Sequence, residues 1–269
     1  MTTLQFQNTI LDWYKDNKRD LLWRNTKDPY RILVSEVMLQ QTQVSRVREK
    51  YGEFLTSFPT LEKLAAAPER KLLNVWRGLG YWKRAVNLKK SANIIVKEHG
   101  GKVPREPKEL EKLPGIGPYT AKAVACFAFQ NKDAFIDTNI RRVYLHFFFP
   151  KRKKVSDKEI LKAAEKNLLT KDPARWHSAL FDYGALVLKD RAINKRSRHY
   201  AKQSKFAGSL RFYRTKVMRY LLDQPNQKAT LAKIQKLLRE TGSPYPTDRI
   251  LTSLVKDELV KKKRNSYSL

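Results

Sequence analysis

Two acids in this sequence stand where a carboxyl could do chemistry. Glu36 lies in "SEVMLQQTQV", with Ile32, Leu33, Val34, Val37, Met38 and Leu39 around it. A carboxyl in apolar surroundings keeps its proton to a higher pH, because burial penalises the charged form. A buried ion pair with one of the many arginines is the competing reading of that window. Asp137 lies in "FIDTNIRRVYLHFF", after an apolar pair and before a helical pattern. There it would cap the helix, accepting hydrogen bonds from the first N–H groups, and the helix dipole would hold it ionised. Two carboxyls with pKa values pushed apart suit a proton donor paired with a stabiliser of positive charge. Cleavage of a glycosidic bond uses such a pair. On a helix, Glu36, Gln40 and Gln43 would fall at i, i+4 and i+7, so that an acid and two amides share a face.

The glycosidic bond on offer follows from charge. The 269 residues carry 56 Lys and Arg against 26 acids, a net charge of +30. So large an excess of one sign destabilises a compact chain by self-repulsion, and a polyanionic partner accounts for it. Nucleic acid is the expected partner, and in a DNA-binding protein the bond is the one between deoxyribose and base. A membrane is not expected, since no apolar run is long enough to span one. The N-terminal "MTTLQFQNTILDWYKDNKRD" reads as an amphipathic helix and not as a signal peptide. Cys126 is the one cysteine, and His99, His146, His177 and His199 show no metal spacing, so no metal and no cysteine-held cofactor is expected. The compartment expected is cytoplasmic, with the nucleoid.

The elements that must hold these residues read as mainly all-α. Up to about residue 205, apolar residues recur at three and four, with short polar breaks. "LPGIGPYTAKAVACFAF" ends one helix near Leu113 and starts another near Pro118. Gly115 and Gly117 permit a tight turn, and the new helix N-terminus, with Ile116 and Thr120, can hold a phosphate through backbone N–H groups. "QSKFAGSL" is a candidate linker. Beyond it, residues 206–269 read as three short helices and a basic hairpin, the pattern of a winged helix-turn-helix, with Arg249, Thr252, Ser253 and Lys256 polar on the third helix. A small helical cap or protein-docking module is the other reading.

"SEVMLQQTQV", "GLGYW", "LPGIGPYTAKAV" and "IDTNIRRV" together resemble, in order and spacing, the adenine DNA glycosylases of the helix-hairpin-helix glycosylase superfamily, from about Trp13 to Lys189. The resemblance implies a two-lobed fold over 1–205. One lobe would be six helices at about 25–130, and the second 1–24 with 131–205. It implies that Glu36 protonates the adenine and helps activate water, and that Asp137 stabilises the oxocarbenium-like sugar. Tyr119 would assist Glu36, and Asn139 would position the Asp137 region. Trp23 and Arg24 would reach the adenine pocket, while Gln40, Gln41 and Trp82 would contact or wedge into the duplex. Endonuclease III relatives carry a nucleophilic lysine where Tyr119 stands, so a monofunctional enzyme is implied; Lys122 lies three residues on.

Two departures from the family stand out. Its iron–sulfur cysteines would fall at Leu188, Lys195, Arg198 and Ser204, so no cluster is expected. Lys195, Arg196 and Arg198 are expected to grip the DNA backbone through charge instead. The family's longer β-containing module that reads 8-oxoguanine has no counterpart in the last 60 or so residues. The expected function is excision of adenine opposite 8-oxoguanine or guanine by a monomer. A thymine or uracil mismatch glycosylase and a non-catalytic DNA-binding protein are the alternatives.

Overall fold

A computed structural model describes residues 1–202 and 204–269. The chain is mainly helical, as its periodicity predicts. In order, the helices are α1 (Thr3–Asn17), α2 (Pro29–Leu39), α3 (Val44–Ser57), α4 (Leu61–Ala65), α5 (Glu69–Val75), α6 (Lys83–Glu98) and α7 (Pro107–Leu110). They continue with α8 (Pro118–Phe129), α9 (Thr138–Phe147), α10 (Asp157–Lys166), α11 (Pro173–Leu186), α12 (Leu210–Asp223), α13 (Leu231–Glu240) and α14 (Thr247–Lys256). Three short strands, β1 (Lys228–Thr230), β2 (Lys261–Lys263) and β3 (Ser266–Ser268), form one antiparallel sheet in the order β1-β3-β2. Among the described residues no helix is long and apolar enough to cross a membrane.

Two compact units result, Met1–Val37 with Val103–Lys202, and Met38–Lys102 with Gln203–Leu269. The family resemblance implies lobe boundaries near 25 and 130, and the sequence pattern separates 206–269 as its own domain. The division differs because α8 packs on α11, and because α12 packs on α5.

The first unit is built around α1, α9 and α11. Thr2 and Gln5 cap α1 reciprocally, and Phe6 and Ile10, one turn apart, are fully buried. Phe6 meets Trp176 edge to face at 5.4 Å and Phe148 at 4.9 Å. Each such aromatic contact contributes about 0.5–1.5 kcal/mol beyond burial. Ile140, Val143 and Tyr144 seat α9 in this core, which fixes where the helix begins. Cys126 is a core residue as expected; burial pushes its thiol up to about 12, and it sits 3.7 Å from the His177 ring.

The second unit has two parts. Helices α3 to α6 enclose Phe54, Phe58, Leu72 and Trp76. Residues from α12 onward run helix, strand, helix, helix, hairpin. They close over Val217, Met218, Leu221, Ile234, Ile250 and Leu254, all buried.

Candidate active site

In the first unit α2 carries Glu36, which is 5% exposed. Burial pushes its carboxyl from 4.5 up to about 7, the charge of Asp137 adds to that, and Arg24 works against it. The Asp137 charge is thus one of the two causes that raise Glu36. Asp137 caps α9: Oδ1 accepts from the N–H groups of Asn139 at 2.9 Å and Ile140 at 2.7 Å. Its Oδ2 accepts from the Asn139 side chain at 2.9 Å. Those donors alone would hold Asp137 ionised, as the sequence leads one to expect, but burial outweighs them and the carboxyl sits above the ordinary aspartate range. Tyr119, half-buried on α8, has its hydroxyl pushed well up by burial and by the charges of Glu36 and Asp137, so it stays a hydrogen-bond donor. Glu36, Asp137, Tyr119 and Arg24 thus act on one another, and Asn139 holds Asp137. Lys122 is turned to the carbonyl of Ala134 at 3.4 Å.

Arg24 closes the 3-10 turn Leu22–Arg24, in which Trp23 is buried. Its guanidinium binds both oxygens of Asp182, at 2.7 and 2.8 Å. The same carboxylate accepts from the Arg19 N–H at 2.9 Å and Nε at 2.7 Å. Burial raises the Asp182 carboxyl, but the Arg24 and Arg19 partners more than offset this and hold it below the ordinary range. Arg24, Arg19, Lys15, Lys18 and Arg175 line a cavity of about 640 Å³. Sequence reasoning missed Asp182. The signal was there: "ALFDYGALV" places an acid in an apolar run, as "SEVML" does. It also missed Gly184. A Cβ there would lie 2.4 Å from the Asn139 carbonyl oxygen, so only glycine lets α11 approach the start of α9 this closely.

The hairpin forms as expected. Gly115 takes φ 78°, and α8 starts at Pro118 after Gly117. Ile116 and Thr120 are buried, so their side chains are part of the core, and any contact they make with a ligand is through the main chain. The Ile116 N–H is bonded to the Leu113 carbonyl at 3.1 Å.

Protein groups hold the Lys- and Arg-rich loop after α11 over residues 188–198. Arg142, 5% exposed, donates to the carbonyls of Gly184 at 2.7 Å and Leu188 at 2.9 Å. Val155 pairs with the loop on both sides of Ser197. Lys195 and Arg198 are exposed, but Arg196 is spent on the carbonyls of Phe149 and Pro150. Arg196 is thus held by the protein's own carbonyls, unlike Lys195 and Arg198. The residues at the family's cluster positions do not suit iron: Leu188 is in the core, and Lys195, Arg198 and Ser204 offer no thiolate.

In the second unit the segment after Glu36 departs from expectation. Helix α2 ends at Leu39, so Gln40 and Gln43 do not continue its face. Gln41 is exposed at φ 55°, and Gln43 stands at the N-cap of α3. The cause is Arg84, which donates to the carbonyls of Met38 at 2.8 Å, Gln40, Leu79 and Gly80, and to the Thr42 hydroxyl. One guanidinium, packed on the rings of Trp76 and Tyr81, ties the Gln40–Thr42 turn to the "GLGYW" loop. Burial lowers its pKa to about 10. Trp82 is only 4% exposed and belongs to the core, so it is not a wedge. The half-buried aromatic of that loop is Tyr81, at φ 46°, flanked by the guanidinium groups of Arg84 and Arg211.

The chain is 39% identical over 192 residues to the adenine DNA glycosylase of Buchnera aphidicola subsp. Baizongia pistaciae (strain Bp), covering 70% of this chain and 54% of that protein. It is 47% identical over 135 residues to the adenine DNA glycosylase of Mycolicibacterium smegmatis (strain ATCC 700084 / mc(2)155), covering 50% and 46%. The chain spans about half the length of these curated relatives. The solved structure of a thermostable thymine-DNA glycosylase matches at TM-score 0.64 and 29% identity, covering 74% of this chain and 96% of its own. Residues 34–169, which include Glu36, Tyr119 and Asp137, match the HhH-GPD superfamily of base excision DNA repair proteins, and the chain belongs to that superfamily.

Proposed function

We propose that this chain is a monofunctional DNA glycosylase that removes adenine mispaired with 8-oxoguanine or guanine. The observation that carries the reading is the pair of unlike carboxyls. Glu36 is buried and its carboxyl is pushed up to about 7 by burial and by the charge of Asp137, which itself caps a helix through two backbone N–H groups. Glu36 gives its proton to a ring nitrogen of the adenine, and the bond from sugar to base breaks with its electrons leaving on the base. The negative Asp137 stabilises the cationic sugar. Water then adds to the sugar carbon, and its proton returns to Glu36. Tyr119, kept protonated, donates a hydrogen bond in the same site. Lys122 faces the Ala134 carbonyl, and this supports hydrolysis without a lyase step. No step uses a cluster, which the residues at its positions would not hold.

Duplex DNA is the partner in this reading, and the enzyme acts as a monomer at the nucleoid in the cytoplasm. The Gly115–Gly117 turn with the α8 N-terminus, and Lys195 with Arg198, would hold the backbone. Gln41 and Tyr81 would fill the gap left by the flipped base, which offsets part of the few kcal/mol that unstacking costs. Adenine is favoured by the two adenine glycosylases above. Thymine opposite guanine is the second reading, favoured by the match to the thymine-DNA glycosylase. The test is incubation with duplexes bearing 8-oxoguanine·A, G·A, G·T, G·U and hypoxanthine, then alkali. Strand breaks at A support the proposal. Breaks at T or U alone move it to the second reading, and none at all leaves a DNA-binding protein without this activity. Glu36→Gln and Asp137→Asn should each abolish cutting while binding persists.

A further inference from the structure

Residues from α12 to the last strand carry a charge distribution that the glycosylase chemistry does not use. Residues 205–264 hold fifteen Lys or Arg and five acids. Three of those acids are turned toward the unit's own helices. Asp223 pairs with Arg77 at 2.8 Å, Asp257 with Lys83 at 3.3 Å and with Arg214, and Glu258 with Lys90. Lys83 and Lys90, two turns apart on α6, receive two of the three. Those three acids are committed to ion pairs within the unit and Glu240 pairs with Lys236, so Asp248 is the one acid on the exposed face of α14 and the neighbouring cations remain in excess.

Those cations fall on two adjoining elements. On α14, Ile250, Leu251 and Leu254 are buried, while Arg249, Thr252 and Lys256 are exposed at i, i+3 and i+7, one polar stripe opposite the apolar one. The chain then enters the β2–β3 hairpin, where Lys261, Lys262, Lys263 and Arg264 are all exposed. Strand β2 is an edge strand, paired only with β3 among the described residues. A lysine or two there would suffice to discourage pairing with another chain. Four consecutive cations on this hairpin go beyond that need; Lys261 and Lys263 share one face of β2, Lys262 projects from the other, and all are exposed, so the wing is positive on both sides and suits a phosphate backbone.

We propose that α12–α14 with the β2–β3 hairpin form a winged helix-turn-helix that binds duplex DNA as a second, sequence-independent surface. In it, Lys261–Arg264 take backbone phosphates, and Arg249, Thr252 and Lys256 present α14 to the groove beside them. The surface rests on the DNA-binding reading above and deepens it. It supplies affinity for undamaged duplex, and the excision chemistry stays with Glu36 and Asp137.

The experiment uses the full chain. One variant replaces Lys261, Lys262, Lys263 and Arg264 with Gln; a second carries Arg249→Ala with Lys256→Ala; a third replaces Lys261, Lys262 and Lys263 with Arg and keeps the charge. Affinity for an undamaged duplex is measured by fluorescence anisotropy across a series of salt concentrations, and thermal melting checks folding. Single-turnover excision is read at saturating enzyme. The Gln variant should bind at least about tenfold more weakly, with its salt slope reduced by about 0.9 for each phosphate it no longer neutralises. The Arg variant should bind like the wild type, and the saturated excision rate should not change in any of them. Wild-type affinity and slope in a folded Gln variant would overturn the proposal and leave edge protection as the role of the lysines. Weakened binding of duplex RNA, with duplex DNA binding unchanged, would overturn it too. If the Gln variant does not fold, wild-type binding by the α14 variant does so instead. Absence of excision by the wild type on every duplex would fail the glycosylase reading alone, because binding is read separately.

Discussion

Glu36 makes a two-sided prediction. Its carboxyl is moved from 4.5 to about 7. Each pKa unit corresponds to about 1.36 kcal/mol, so the folded state favours the protonated form by about 3 kcal/mol relative to the unfolded chain. The sign follows from proton counting. Between pH 4.5 and about 7 the folded protein keeps a proton that the unfolded chain has lost, so stability falls as pH rises through that window. Below it both states are protonated and nothing is lost; above it the whole cost of a buried charge is present. Glu36→Gln keeps shape and polarity and removes the titration. Urea unfolding of both proteins at about pH 4.5, 6 and 8 cancels the contribution of every other group in the difference. The variant should match the wild type near pH 4.5 and exceed it by about 3 kcal/mol at about pH 8. The same proton is the one given to the base, so the wild type's single-turnover excision should fall about tenfold per pH unit above about 7. Asp137→Asn, which removes the charge that helps raise Glu36, should bring the stability window to lower pH. A stability difference that is the same at both ends of this pH range would refute the reasoning, as would excision that is flat from about pH 6 to about pH 9.

Other perturbations test the framework around the site. Gly184→Ala puts a methyl 2.4 Å from the Asn139 carbonyl oxygen, against backbone that cannot turn aside. It should cut kcat sharply while duplex affinity changes little, and wild-type kcat would show that α9 can shift without cost. Asp182→Asn leaves Arg19 and Arg24 without their shared carboxylate and should destabilise by about 3 kcal/mol in urea titration. Lys195→Gln with Arg198→Gln should lower the salt dependence of duplex binding, whereas Arg196→Gln should show its effect in thermal melting, because that guanidinium holds Phe149 and Pro150.

Local features are readable where their cause is local. The capping role of Asp137 follows from an acid placed just before an amphipathic helix, and the Gly115–Gly117 turn follows from its glycines and Pro118. The face shared by Glu36, Gln40 and Gln43 rests on helix periodicity alone, and the folded chain does not form it. Helix α2 stops where Arg84, more than 40 residues later, takes the carbonyls of Met38 and Gln40. Trp82 and Tyr81 are neighbours of similar chemistry. Which one is buried depends on the core that α3, α5 and α6 close, and pattern alone does not reveal that.

Glu36 and Asp182 show where the division lies. Both are acids in apolar helical runs of a strongly basic chain, and on sequence they are alike. The sequence by itself determined only the apolar runs in which the two acids sit; that both are buried is seen in the folded chain. The tertiary structure decided their chemistry. Asp182 meets two guanidinium groups from the segment after α1 and is held ionised. Glu36 meets the negative field of Asp137, far along the chain, and keeps its proton to about pH 7. Neighbours along the helix supply an apolar setting, but the burial of an acid is completed, and its charge state set, by groups that arrive from elsewhere in the chain.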